Sequence, residues 1–433
     1  MTSIKVPYGN NCQEAEIPDN IPLEVIDPSC KPVNTAVETL IEEALEHPVG
    51  TKKLEEIAKG KKKILIIVND QTRPGPNRQI LEAILKRLHA ASIENQQISI
   101  LIATGSHRAP NSSELENILG KEIKEKIRVY IHDCYKDNVK VGISSDQMPV
   151  YIDKRAVESD CIITTGLIAP HKAAGFSGGR KSIVPGIAGM ETLKIHHSLP
   201  IRPFEPAMGW YETNPFHLAA LHAAQYAHVA FMVNAVQDPH KQIVAVVAGD
   251  LDLAHQAGVK ICRKHNTVFC TKRADCIITS PGGSPRDCNL YQSQKALATA
   301  EMFAAKDKDV TFIVVAQAED GIGPKSFQEW LRDAASPDEV IARFQREGFS
   351  AGTQKAFEYA RALKKGQVII VSDRLDEKEV TDLKLSWART LQDAMGQVLE
   401  KKTPKQIIVL PRAVSIIPEF EDENQRIAAV SGN

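Results

Sequence analysis

The chain has 433 residues, a formal net charge of −1 and 25% charged residues. A charge this close to zero gives no electrostatic reason to expect nucleic acid or an anionic membrane as a partner. The length exceeds what one ordinary hydrophobic core accommodates, and we therefore expect two domains.

The sequence also argues against a membrane-spanning or secreted protein. No apolar run approaches the roughly twenty residues that cross a bilayer, and the opening MTSIKVPYGNNCQEAE lacks the basic and then apolar order of a signal peptide. The cysteines are scattered without a CxxC pair, which favours free thiols in a reducing compartment over disulfides or a cysteine zinc site. We expect a cytoplasmic protein.

Strands and helices alternate along the first half of the chain. Short extended pieces within residues 1–30 suggest an antiparallel hairpin at one edge of a sheet. The runs 62–70, 97–107, 126–134 and 160–167 are apolar and typical of buried strands, whereas 78–91 has helical spacing. A capping box from Ser113 to Glu116 predicts the start of another helix.

A second series of strands begins near residue 266 with NTVFCT and continues through DCIITS, DVTFIVV, QVIIVS and QIIVLP. Alternation with helices in both series predicts an α/β fold, namely two α/β domains with mostly parallel sheets. We divide the chain into an N-terminal domain, 1–265, and a C-terminal domain, 266–433. The active site is expected in the cleft between them.

Polar residues follow the predicted strands of the first domain. Asp70 and Arg73 come after one strand, and His107 and His171 each come after a Thr-Gly pair at the end of another. Ligands of open α/β sheets sit outside the carboxyl ends of the strands, so we expect these side chains to converge. Imidazole titrates near neutrality, and two such groups suit a pair of acid/base catalysts.

The segment GFSGGRKSIVPG is rich in glycine, which lets backbone N–H groups approach an anion closely. The phosphate-loop pattern GxxxxGK[ST] fails because Arg180 precedes Lys181, and GxGxxG is absent. From the residues alone, Lys181 could be a phosphate-pairing charge, a Schiff-base nucleophile or a covalent anchor. Of the adjacent His196 and His197, a helix would turn only one toward a cleft, and a metal on that histidine would need further ligands from a cofactor.

Five segments, NDQTRP, TGSHR, APHKAAGFSGGRKSIVPG, IHH and LYQSQKA, resemble the nickel-dependent lactate racemase family in order and across nearly the whole chain. The resemblance implies an isomerase, a racemase or epimerase of a small 2-hydroxycarboxylate. It also implies hydride transfer through a covalently bound nickel-pincer nucleotide, which separate cofactor-biosynthesis enzymes would supply.

The resemblance also assigns residues. Lys181 would bind the cofactor covalently, His197 would ligate nickel, and His107 and His171 would be the two acid/base catalysts. Further residues would line the site: beside the cofactor Asp70, Arg73, Ser177, Gly178 and Gly179, and beside the substrate Arg73, Tyr291, Gln292 and Lys295.

One segment departs from the family pattern. GTQKAFEYARALKK contains no Trp, although an aromatic wall is expected there in the lactate enzymes, and Phe357 is the candidate substitute. Without such a wall the pocket would be larger and more polar, as malate or a sugar acid would need. Two other functions stay open: a zinc-dependent lyase or hydrolase that uses His107 and His171, and a non-enzymatic phosphate or nucleotide sensor built on the glycine-rich loop.

Overall fold

The computed structural model describes residues 1–28, 33–144, 146–306 and 309–420. The chain divides into two compact units, Cys30–His265 and a second unit that combines Met1–Ser29 with Asn266–Asn433. The division expected from the sequence, into 1–265 and 266–433, stays a prediction, although one unit ends at His265. The N-terminal segment differs from that expectation, because it belongs with the C-terminal residues.

The N-terminal segment joins the C-terminal unit through strand pairing and core packing. Strands β1 (Thr2–Tyr8) and β2 (Asn11–Ile17) form an antiparallel hairpin, as expected, but in a two-stranded sheet of their own. The edge strand is instead β3 (Leu23–Val25), which pairs in parallel with residues 407–409. Hydrophobic residues of the hairpin pack into the same core as residues 276–409. A three-residue strand carries too little pattern for its partner to be predicted from sequence.

The unit Cys30–His265 is built on a six-stranded sheet with the order β13-β12-β9-β4-β5-β6, parallel except for the antiparallel pair β12–β13. Two antiparallel hairpins, β7–β8 and β10–β11, lie outside it. The strands are β4 (Ile64–Asn69), β5 (Ile98–Ala103), β6 (Arg128–Ile131), β7 (Asn138–Ile143), β8 (Pro149–Asp153), β9 (Cys161–Ile168), β10 (Pro170–His171), β11 (Gly175–Phe176), β12 (Phe231–Gln237) and β13 (Ile243–Gly249).

Helices cover this sheet, and apolar residues of α1 and α3 pack with β4 and β5 in its main core. The helices are α1 (Val37–Glu46), α2 (Leu54–Ala58), α3 (Asn77–Ala90), α4 (Ser112–Leu119), α5 (Lys121–Lys126), α6 (Lys154–Val157), α7 (Met190–His196), α8 (Pro215–Gln225) and α9 (Leu253–Asn266). The predicted capping box of α4 is wrong by two residues. Asn111 and Glu114 form it, because the Asn111 side chain accepts from the Glu114 N–H at 2.9 Å.

The second unit has a six-stranded sheet with the order β18-β17-β16-β15-β19-β3, parallel throughout. Its strands are β14 (Thr267–Cys270), β15 (Cys276–Thr279), β16 (Val310–Val315), β17 (Gly366–Val371), β18 (Ser386–Ala388), β19 (Ile407–Leu410) and β20 (Ile417–Phe420). Its helices are α10 (Leu290–Phe303), α11 (Lys325–Asp333), α12 (Pro337–Glu347), α13 (Thr353–Lys365), α14 (Glu377–Thr381) and α15 (Leu391–Lys401). The expected α/β class with mostly parallel sheets is therefore confirmed. In the described parts of the chain, every helix is too short or too polar to span a bilayer.

Candidate active site

The carboxyl ends of β4 and β5 bring Asp70 and His107 together. His107 Nδ1 lies 2.7 Å from Asp70 Oδ2, and Thr72 donates to the other carboxylate oxygen through its N–H and its hydroxyl. Burial raises the pKa of Asp70, but the hydrogen bonds from His107 and Thr72 and the charge of Arg73 outweigh it, so the pKa is lowered overall. Ionised Asp70 accepts a hydrogen bond from the Nδ1–H of His107, which leaves the lone pair of the neutral ring on Nε2.

His171 is held differently, in the small hairpin β10–β11. Its Nδ1 accepts the backbone N–H groups of Ala173 at 3.2 Å and Ala174 at 3.0 Å. A ring nitrogen that accepts hydrogen bonds carries no proton, so neutral His171 has its proton on Nε2. Burial, together with the charges of Lys181 and Arg73, lowers the pKa of His171 well below its usual value, and the ring is neutral near pH 7.

The glycine-rich loop is packed too tightly for side chains. Gly178 and Gly179 have positive φ angles of 80° and 55°, and a Cβ on Gly178 would lie 2.5 Å from the side chain of Asn234. The Gly179 N–H already donates to Asn234 at 2.7 Å, and the Ser177 hydroxyl bonds to the backbone of Leu167. These groups shape the loop, and their hydrogen bonds are made within the protein rather than with an anion.

Arg180 ties the loop together from inside. Its side chain is 1% exposed, and the guanidinium donates to the carbonyls of Ala174 and Phe176, each at 3.0 Å. Its other terminal nitrogen lies 3.0 Å from Nε2 of His255. Within the described residues no carboxylate pairs with Arg180, so a buried positive charge remains next to Lys181.

Lys181 lies in a strongly electropositive environment. Burial, followed by the charges of Arg180, Arg73 and Arg202, lowers the pKa of Lys181 well below its usual value. Its Nζ sits 5.4 Å from the ring centroid of Phe216, and no Asp or Glu of the described ranges forms an ion pair with it. A lysine held this way loses its proton more readily than a free lysine, which favours its use as a nucleophile, and its surroundings favour an anionic ligand.

The adjacent histidines have different environments. His196 is completely buried, and its Nε2 donates to the Phe216 carbonyl at 2.9 Å. Burial lowers its pKa to about 3. His197 ends the same helix but stays partly exposed, with its ring edge-on to Phe216 at a centroid distance of 5.0 Å. Of the two, His197 is the one whose position allows it to bind a ligand.

A metal on His197 would need partners from outside the protein. Within the described ranges, no three His, Cys, Asp or Glu side chains are grouped to hold a metal ion. The zinc site that a lyase or hydrolase would require is thus not built by these residues. A cofactor that brings its own metal ligands is compatible with the arrangement of Lys181 and His197.

In the second unit, Tyr291, Gln292 and Lys295 lie on the first turns of α10, beyond the carboxyl end of β15. All three side chains are partly exposed. The Asn289 side chain caps this helix by accepting from the Gln292 N–H at 2.8 Å. The spacing of three places Gln292 and Lys295 on one helical face, as expected.

The side chain next to Tyr291 is a lysine. Lys355 of α13 is 6% exposed, its Nζ donates to the Tyr291 carbonyl at 2.6 Å, and it lies 4.3 Å from the centroid of the Tyr291 ring. Phe357 cannot provide the expected aromatic wall, because it is fully buried and stacks on Phe344 at 4.7 Å. The surroundings of Tyr291 are therefore more polar than a tryptophan would make them.

The structure thus groups the predicted residues in two sets. One unit holds Asp70, Arg73, His107, His171, Lys181 and His197, and the other holds Tyr291, Gln292 and Lys295. Sequence reasoning missed the residues that organise the first set, namely Arg180, Asn214, Asn234 and His255. Of these, only Asn214 could have been recognised from the sequence, as a helix cap, because Asn-Pro is a typical start of a helix.

Comparison with known proteins identifies the class to which this fold and site belong. The lactate racemase N-terminal domain family matches residues 8–209, and the lactate racemase C-terminal domain family matches residues 269–418. A lactate racemase of Thermoanaerobacterium thermosaccharolyticum is 34% identical over 427 residues, covering 96% of this chain and 99% of that protein. One of Lactiplantibacillus plantarum is 34% identical over 426 residues, covering 96% of this chain and all of that protein.

Comparison with solved structures points to the same family. The lactate racemase apoprotein of T. thermosaccharolyticum matches with a TM-score of 0.88 at 33% identity, over 96% of this chain and 100% of that one. A Thermotoga maritima protein shares the fold, with a TM-score of 0.65 at 16% identity, over 89% and 98% of the two chains. The chain belongs to the lactate racemase family. It is an isomerase, and within that class a racemase.

Proposed function

We propose that the protein racemises or epimerises a 2-hydroxy acid with a nickel-pincer nucleotide bound covalently to Lys181. The observation that carries the proposal is the environment of Lys181, an amine whose pKa is lowered by burial and by neighbouring cations, on the loop that also bears His171. When bound, this cofactor supplies a hydride acceptor for C2 of the substrate. The protein supplies the rest: anchoring, orientation and proton transfer. We place the enzyme in the cytoplasm, where cofactor-biosynthesis enzymes would load it.

The residues near Lys181 suit such a group chemically. The Lys181 amine, whose lowered pKa favours its neutral form, can form the covalent bond, and His197 would ligate nickel. The positive charges of Arg73 and Arg180 complement the phosphate of a nucleotide. Asp70 and Arg73, at the carboxyl end of β4, would help to orient the cofactor and the substrate.

The two histidines would handle the hydroxyl proton. A substrate alcohol loses its proton as the C2 hydride leaves, and the resulting 2-keto acid regains a proton when hydride returns to the opposite face. His107 and His171 would serve the two enantiomers, one as base and the other as acid. Tyr291, Gln292 and Lys295 would retain the keto acid through its carboxylate between the two transfers.

The substrate is lactate or a more polar 2-hydroxycarboxylate. Lys355 favours the polar alternative, since its ammonium group lies 4.3 Å from the ring centroid of Tyr291, one of the residues proposed to bind the substrate. A panel of lactate, malate and sugar acids, assayed from each enantiomer, tests this choice. A preference for lactate over all polar members would contradict it.

The cofactor is tested by intact mass and nickel analysis of protein produced together with the cofactor-building enzymes. The proposal requires a covalent adduct and about one nickel per chain, and both should be absent without those enzymes. Racemase turnover in protein that has neither adduct nor nickel would refute the proposal. Turnover that instead depends on added zinc would favour the lyase or hydrolase alternative.

The two acid/base roles are tested by His107→Ala and His171→Ala in the loaded enzyme. Removal of a general base commonly costs roughly 100- to 10,000-fold in rate, and each variant should lose kcat in this range in both directions. With C2-deuterated substrates, residual label exchange should proceed from one enantiomer only, and from opposite enantiomers in the two variants. Wild-type racemisation by both variants would show that these histidines are structural.

A further inference from the structure

The peptide group between Ala173 and Ala174 forms hydrogen bonds on both sides, to the ring of His171 through its N–H and to Asn214 through its carbonyl. The Ala174 N–H donates to His171 Nδ1 at 3.0 Å, and the carbonyl of the same peptide, that of Ala173, accepts from Asn214 Nδ2 at 2.8 Å. A hydrogen bond to the oxygen of a peptide polarises it and strengthens its N–H as a donor. Asn214 therefore acts on His171 across one peptide group.

The orientation of the Asn214 amide is fixed by its other contacts. The side chain is fully buried, and Oδ1 caps helix α8 by accepting from the Phe216 N–H at 2.9 Å. Nδ2 also donates to the Trp210 carbonyl at 3.0 Å. A reversed amide would place Oδ1 against two carbonyl oxygens and leave the helix without its cap. The group that faces Ala173 is therefore the NH₂.

We propose that Asn214 is a positioning residue that holds neutral His171 in the tautomer with its proton on Nε2. This inference rests on the proposed function, in which His171 contacts the substrate. His107 has the opposite tautomer, because its Nδ1–H donates a hydrogen bond to Asp70. Although both histidines follow Thr-Gly pairs, their resting tautomers differ. His107 offers a lone pair that can accept a hydroxyl proton, and His171 offers an N–H to a substrate oxygen.

The tautomers can be measured without cofactor or turnover. Apoprotein labelled with ¹⁵N-histidine is studied by NMR at pH 8, where the protonated and bare nitrogens of a neutral ring have well separated shifts, and His171→Gln identifies the signals of His171. The expected result is a proton on Nε2 of His171 and on Nδ1 of His107. A proton on Nδ1 of His171 in the wild-type protein would overturn the proposal, and this result does not depend on any variant of Asn214.

Asn214→Ser separates positioning from helix capping. Serine also caps helices well, but it is too short to donate to the Ala173 carbonyl, so the second tautomer of His171 should become populated. The matched control is Asn111→Ser, at the exposed cap of α4, which should leave the His171 signals unchanged. Unchanged His171 signals in Asn214→Ser would refute the role of Asn214.

Kinetics of the loaded enzymes complete the test. Asn214→Ser should lower kcat about 10- to 100-fold, as losses of orienting hydrogen bonds do, with a smaller change in KM, and Asn111→Ser should match the wild type. Equal kcat values for all three proteins would contradict the positioning role. If loaded His171→Ala keeps full activity, the proposed function fails, whereas the apoprotein spectra still decide whether Asn214 sets the tautomer.

Discussion

At the scale of single residues, the site is defined by how each titratable group is neutralised or paired. Asp70 stays ionised because it receives three hydrogen bonds, one from His107 and two from Thr72. The pKa values of Lys181 and His171 are both lowered, because burial and surrounding cations disfavour their charged forms. Nucleophile, proton acceptor and hydrogen-bond donor thus coexist near pH 7 within one unit of the chain.

Lys181 gives the first residue-scale prediction. Lys181→Ala should abolish both the covalent mass adduct and racemase activity, since no other amine occupies this position. Lys181→Arg should fail equally, because a guanidinium stays protonated and cannot form the thioamide. Intact mass and turnover are measured on the same samples. Full turnover by either variant would end the covalent-cofactor hypothesis.

The histidine pair gives the second prediction. His197→Ala should lose most of the bound nickel, because its ring is partly exposed at the end of α7. His196→Gln should retain most of it, since His196 is buried and bonded to the Phe216 carbonyl. Nickel per chain is measured by elemental analysis after co-production with the cofactor-building enzymes. The opposite pattern would mean that His196 is the ligand, and equal small losses would mean that neither is.

At the scale of elements, helix α13 holds helix α10 at both of its ends. Lys355 and Tyr359, one turn apart, donate to consecutive carbonyls, those of Tyr291 at 2.6 Å and Leu290 at 3.0 Å. Farther along, Arg361 forms a buried two-point ion pair with Glu301, at 2.8 and 2.7 Å. Long helices held at two points move little, so the face with Gln292 and Lys295 is rigidly presented.

Removing one of these bonds tests the role of α13. Tyr359→Phe should lower the free energy of unfolding by about 1 kcal/mol, the usual value of one buried hydrogen bond. It should also raise KM several-fold with little change in kcat, because in the proposed function Gln292 and Lys295 bind the substrate and do not react with it. Tyr226→Phe is the matched control, since its hydroxyl also bonds to a carbonyl, that of Ile143, but in an exposed place. A loss of kcat at unchanged KM would contradict this role.

Sequence patterns predicted the elements that have strong local signals. Strand β4 could be predicted because its residues 64–68 are all apolar. The Thr-Gly pair before His107 directly follows β5, as expected, whereas the pair before His171, Thr165-Gly166, lies within β9, which ends at Ile168. Contacts between residues far apart in the chain could not be predicted from the sequence. Nothing in the sequence indicates that β3 completes a sheet with residues 407–409, or that Asn214 bonds to the Ala173 carbonyl. Lys355 was visible in the sequence, but its contact with Tyr291 depends on how α10 and α13 pack.

At the scale of the whole molecule, the unit Cys30–His265 buries histidines that have no carboxylate partner in the described ranges. His217 is 3% exposed and packs on the Tyr211 ring at a centroid distance of 4.1 Å, and His255 is 1% exposed and lies between Arg180 and Tyr211. Burial, aided by the charge of Arg180, lowers the pKa of His217 to about 3 and that of His255 well below its usual value. Both rings are neutral in the folded protein at any mildly acidic pH.

The sign of the resulting pH dependence follows from linkage. In the unfolded chain these histidines take up protons below about pH 6.5, and in the folded protein they do not, so stability is lost as the pH falls through that value. Between pH 6.5 and 5.5, each of these two histidines should lower the free energy of unfolding by about 1 kcal/mol, and the pair by about 2 kcal/mol. Urea unfolding of the apoprotein measures this slope, well above the pH at which the carboxylates titrate. His217→Gln should reduce the loss of stability over this interval by about 1 kcal/mol, whereas His89→Gln, at the exposed end of α3, should leave the loss unchanged. A free energy of unfolding that stays constant from pH 7.5 to 5.5 would contradict neutral burial of His217 and His255.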